Sequence, residues 1–154
     1  MVTALLTAIH VVGVVIWIGG VVFVTVIVFP MIMRMEHSFE KVMFFQGVEH
    51  RFAKIAKICV FFVGTTGMLL LMETGEHKKL FTLSGIGPTI MLFVWTFYFL
   101  VLMFEAKVFA KVFSGEAQHD MNKVFGLLTR FHYVVMGVSL TAVAVGVGAR
   151  HYIS

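Results

Sequence analysis

Seven histidines stand in a chain of 154 residues that is 60% hydrophobic and only 13% charged, and they are the groups best able to do chemistry here. An imidazole can ligate a metal or haem iron through a bare ring nitrogen, and it exchanges protons near neutral pH. His50 and His132 each have an arginine nearby, in Glu49-His50-Arg51-Phe52 and Arg130-Phe131-His132. A b-type haem needs axial nitrogens on facing helices, an apolar aromatic slot for the macrocycle and cations for its propionates. His50 and His132 are therefore the expected axial ligands of a haem b, with Arg51 and Arg130 pairing its propionates. The bland alternative is that both histidines are interfacial and meet lipid headgroups or acids such as Glu49 and Glu105.

His10 falls with Gly13, Trp17 and Gly20 on one helical stripe. That stripe should face other helices, because an imidazole turned to lipid is costly. Two uses follow. His10 can ligate a second cofactor near the opposite rim, such as another haem completed by His77 or His151, or it can bond a hydroxyl such as Thr65 or Thr66 and tie two helices together. Of the 11 methionines, Met68, Met72 and Met91 share the side of His10, and soft thioethers with imidazole suit copper. They form no MxxM array, and packing of irregular apolar surface is their other use. The single Cys59 excludes an internal disulfide and a CxxC motif, and the spans hold no hydrolase arrangement of Ser, Cys and carboxylates.

The elements that must position these groups are read from charge. Runs without Asp, Glu, Lys or Arg cover 1–33, 58–72, 80–104 and 131–149, 92 residues in all. A soluble domain is excluded; the expected fold is an all-α, four-helix up-down-up-down bundle in the membrane, one domain over residues 1–154. The spans are placed at about 3–33, 51–73, 87–110 and 130–150. The first run is too long, and too free of basic residues at its start, for a secretory signal. Pro30 is expected to kink span one. The helix of span two should begin early, near Ser38 to Val42, with the stems of Lys54 and Lys57 reaching back to the headgroups. Span three follows Gly87-Pro88 and should run to about Phe113. Span four carries Gly137, Gly146 and Gly148, small residues that let membrane helices approach closely, within a chain or in an oligomer.

The net charge of +4 comes with no basic run or RNA-binding motif, so nucleic acid is not an expected partner. Its distribution reads as topology. Arg34, Lys41, Arg51, Lys54, Lys57, Lys107, Lys111, Lys123 and Arg130 fall on one side, and Lys78, Lys79 and Arg150 on the other. The positive-inside rule then puts both termini outside, as in a prokaryotic inner membrane.

Ala8-Ile9-His10-Val11-Val12-Gly13, with Trp17 and Gly19-Gly20, resembles the opening helix of a group of small membrane proteins that includes CopD-type copper-resistance proteins and HemJ-type protoporphyrinogen oxidases. Glu49-His50-Arg51-Phe52, followed by Ile55 and Gly67, is similar to the acid-Arg-Arg-Leu segment of the HemJ type. The resemblance covers about the first half of the chain. It implies a functional histidine in the first helix, here His10, and a bundle that holds haem b. The second half departs from it. Where the HemJ type has a lysine, a histidine and an Asn-Glu-x-Pro segment, this chain reads Gly87-Pro88-Thr89, Phe97-Tyr98-Phe99 and Arg130-Phe131-His132-Tyr133, which argues against porphyrinogen oxidation.

The leading expectation is a membrane haem b protein that moves electrons to or from quinone or a partner subunit. Its rivals are a CopD-type copper-handling protein that uses His10 with methionines, and a structural small subunit of a larger complex.

Overall fold

A computed structural model describes the backbone of residues 1–114 and 121–152, and the side chains of these except 105, 106, 108–114, 121 and 149–152. Span one is α1 (Val2–Phe23), a π turn (Val24–Val28) and α2 (Phe29–Arg34) in one continuous rod. It is followed by α3 (Ser38–Glu73), α4 (Ile86–Ser114) and α5 (Met121–Tyr152). All four rods are long and apolar enough to cross a membrane, and the chain is an integral membrane helical bundle. In the square they form, α1 packs on α3, α4 packs on α5, and the contacts of α3 with α4 and of α1 with α5 close it.

The expected kink at Pro30 takes the form of the π turn. Proline has no N–H for the carbonyl four residues back, and its ring crowds that carbonyl. One turn widens to relieve this, so that the Phe29 N–H bonds the carbonyl of Val24, five residues earlier. Thr25, fully buried in this turn, donates its hydroxyl to Val21 O at 2.7 Å.

The rods are longer than a bilayer needs. The 33 residues of span one and the 36 of α3 rise about 50 and 54 Å, against a hydrocarbon core of about 30 Å. About 20 residues counted from the end that carries the termini, the terminal end, reach Phe23 on α1 and Lys54 on α3; the rest projects at the other, basic end. The core divides accordingly. Within the hydrocarbon zone, Trp17, Ile18, Val21, Ala56, Val60, Val63, Tyr98 and Val135 form one buried cluster. Beyond it, Val24, Val28, Phe29, Ile32, Phe45 and Phe125 form a second. This second core is shut by aromatic rings: Phe45 lies 5.9 Å from Phe29 and 5.6 Å from Phe125, centroid to centroid. At its edge the buried Lys41 ammonium donates to Asn122 Oδ1 at 2.7 Å.

Helix α5 starts nine residues before the span placed at 130–150, and α3 starts at Ser38, where the early beginning of span two was expected. Large apolar side chains such as Val15, Phe61, Phe93 and Val134 remain exposed on the outside of the bundle, as lipid-facing positions do.

Candidate cofactor-binding site

His10 is held by α3. Its Nδ1 lies 3.1 Å from Val63 O and 3.1 Å from Thr66 Oγ1. A carbonyl can only accept, and the Thr66 hydroxyl donates to Phe62 O at 2.6 Å, so both contacts require the proton on Nδ1. Nε2 is then the bare nitrogen. This tautomer, with one ring N–H given to a backbone carbonyl, is the one that metal-ligating histidines adopt. The ring fits against α3 because residue 67 is glycine: a Cβ there would come within 3.1 Å of His10 Cε1.

Access favours this end of the bundle. No residue of Val2–Val12 is buried, whereas Gly13, Trp17, Ile18, Val21, Val24, Thr25, Val28, Phe29 and Ile32 are. The first rod is thus covered from Gly13 onward and open around His10. Among the described residues the Trp17 indole N–H is the one buried side-chain polar atom without a partner, so the His10 Nε2, which has none, is not shut inside the chain.

His132 has the same tautomer, with Nδ1 2.9 Å from Leu128 O on its own helix. Its surroundings differ. The ring is half-buried with centroids 4.6 Å from Phe29 and 5.7 Å from Phe131, at the edge of the closed aromatic core.

The expected pairing of His50 with His132 is not brought together within the chain. Antiparallel contacts of Gly13 with Val63, Gly20 with Phe52 and Phe29 with Phe45 put His50 level with the π turn, close to the depth of His132. Direction is what separates them: α3 buries Phe45, Ala53, Ala56 and Val60, and His50 lies on the opposite, exposed face. There it lines a shallow surface with Met43, Gln46, Gly47, Glu49 and Arg51. The slot expected between the two histidines is filled by Phe29, Phe45 and Phe125, which leave no space for a macrocycle. Arg51 and Arg130 are both exposed and lie at the end of the bundle away from His10.

His10 and His132 cannot share an iron either. The 19 residues from His10 to Phe29, which touches His132, rise about 28 Å. His77, one of the partners expected for His10, is exposed in a short 3-10 turn with Nδ1 3.1 Å from Leu71 O. Leu71 lies five residues, about 8 Å, beyond Thr66 along α3. The side chain of His151 lies outside the described residues. Met68 and Met72 are exposed; Met91 is half-buried against Gly146 of α5. Among the described residues no group of three His, Cys, Asp or Glu side chains is placed to hold a metal ion.

Of the histidines expected to hold haem, His10 is the one whose Nε2 is bare beside an open part of the bundle, with its ring seated against Gly67. No enclosed porphyrin slot adjoins it among the described residues.

The sequence reading passed over one polar pair. Tyr98 Oη and Ser139 Oγ lie 2.9 Å apart in the membrane core, and the Tyr98 ring meets Trp17 edge-to-face at 4.6 Å. The available signal was a tyrosine in the middle of a charge-free span, since its hydroxyl must find a partner there. Comparison with protein-family models, with curated proteins and with solved structures found no match.

Proposed function

We propose that this protein is a membrane haem b protein that carries electrons, with His10 Nε2 as an axial ligand. The carrying observation is the commitment of His10 Nδ1–H to Val63 O and Thr66, which fixes the ring and leaves Nε2 bare beside an open part of the bundle. Bound haem supplies a one-electron couple. The chain supplies orientation of the imidazole by α3, and dry apolar surroundings that tune the potential. In this reading the electrons pass to or from a quinone or a partner subunit, and both termini lie outside a prokaryotic inner membrane.

The test is the visible spectrum of the detergent-purified protein before and after dithionite, with haem counted per chain. Sharp reduced bands that His10→Ala abolishes, while His50→Ala does not, support the proposal. A colourless protein with stoichiometric copper moves His10 to the copper-handling reading.

The His10–Thr66 bond itself favours a second reading, a structural subunit in which that bond simply ties α1 to α3. A protein that holds neither haem nor copper, and is destabilised by His10→Ala and less by Thr66→Val, which leaves the Val63 carbonyl as acceptor, belongs to this class.

A further inference from the structure

Where α3 leaves the hydrocarbon at the basic end, its outward face carries a ladder of cations. Arg51, Lys54 and Lys57 follow one another at steps of three residues, about 4.5 Å apart along the axis, and all three are exposed. Lys54 stands about 20 residues from the terminal end of α3, the depth at which hydrocarbon gives way to headgroups. Ile58 and Phe61, four and seven residues further into the membrane, continue the stripe of Lys54 and are 59% and 66% exposed. The stripe is therefore cationic at the level of the lipid phosphates and apolar directly beneath it.

These charges are not spent inside the protein. Among the described residues neither Arg51 nor Lys54 has a hydrogen-bond or ion-pair partner, whereas Lys41, buried on another face of the same helix, is bound by Asn122. No Asp or Glu occurs between Glu49 and Glu73, and Glu49 lies about 140° around the helix from Lys54. On the neighbouring α4, which Trp95 ties to Val60 O at 2.8 Å, Lys107 is exposed 12 residues further toward the basic end, near the level of Arg51. The side chain of Glu105 lies outside the described residues. A molecule complementary to this face has an anionic head and a long apolar tail in line with it. A zwitterionic lipid brings its own amine, which the cations repel; an anionic one brings none.

We propose that this face of α3 binds an anionic phospholipid, its phosphate held by Arg51 and Lys54 and its acyl chains lying over Ile58 and Phe61. The assignment rests on charge and depth and does not depend on the haem reading.

The experiment uses the full-length chain, delipidated in detergent and titrated with phosphatidylglycerol and separately with phosphatidylcholine of the same acyl chains, with bound lipid counted by native mass spectrometry. Phosphatidylglycerol should bind about tenfold more tightly. Arg51→Gln and Lys54→Gln should each weaken it about fivefold, the effect of one basic residue near an anionic membrane surface. Lys54→Arg should retain it. Lys78→Gln removes the same charge from the exposed loop at the other end and should leave it unchanged. Glycerol phosphate, a headgroup without chains, should not displace the lipid. Equal affinity for the two lipids, equal losses in Lys54→Gln and Lys78→Gln, or displacement by glycerol phosphate would each overturn the site, leaving respectively unselective lipid contact, general attraction to a cationic protein, or a soluble phosphate as occupant.

Discussion

The imidazole of His132 rests against the ring of Phe29, with centroids 4.6 Å apart and planes inclined by 54°. Phe29 is fully buried and also touches Phe45, so it joins three rods at the basic end. Phe29→Ala should therefore cost about 3–5 kcal/mol, the range for emptying a large aromatic site. The loss should appear as earlier unfolding in a denaturant titration, with amide exchange rising first around α2 and the start of α3.

Thr66→Val removes one of the two acceptors of the His10 N–H but leaves the carbonyl of Val63. The stability cost expected for such an interhelical bond in a membrane is about 0.6 kcal/mol and at most about 1.7. If His10 ligates iron, the same change also shifts the haem potential, because the other ring nitrogen sets the basicity of the ligand. Redox titration of the variant checks this; an unshifted potential would count against His10 as ligand.

Gly67→Ala brings a methyl group to 3.1 Å from His10 Cε1, closer than the ring tolerates without moving. Weaker haem retention is expected, measured as haem per chain after gel filtration. Gly137→Ala is the control, since nothing lies within 4 Å of a Cβ there.

Lys41 and Asn122 should respond asymmetrically. Lys41→Met removes a buried ammonium and keeps its apolar stem, so stability should change by less than about 1 kcal/mol. Asn122→Ala takes away the oxygen at 2.7 Å and leaves the charge in place, a loss of about 1–3 kcal/mol. Equal effects in thermal melts would contradict this account of the pair.

Fusions to reporters active only in the periplasm or only in the cytoplasm test orientation. With nine Lys and Arg on one side and three on the other, a C-terminal periplasmic reporter should be active.

The four rods were legible because a charge-free run reports hydrocarbon thickness directly. Helix length was less so. Asn122, Lys123 and Arg130 end the apolar signal of the last span, yet α5 continues through them, because beyond the hydrocarbon a helix needs no apolar run. The tie between His10 and Thr66 was legible as one of two uses, since a polar ring in lipid must find a hydroxyl or a carbonyl. The direction of His50 was not. The stripe of His50, Lys54, Lys57 and Phe61 starts on the part of α3 that projects beyond the hydrocarbon and ends inside it, so its polar residues fit a solvated outer face as well as an inward polar site. The better guide was small size: Ala53 and Ala56 mark the face that α1 approaches.

The π turn makes span one a rod with one residue more than a plain α-helix would hold between the same two packed faces. That surplus is tied to Pro30, whose ring needs the wider turn. Deleting Ile27, which is exposed, should by itself restore the clash and weaken the basic-end core, whereas the same deletion combined with Pro30→Ala should close the turn into an ordinary helix and leave Trp17 and Phe29 facing the partners they have now. Length and proline at this place are therefore coupled: the deletion is tolerated only together with the substitution.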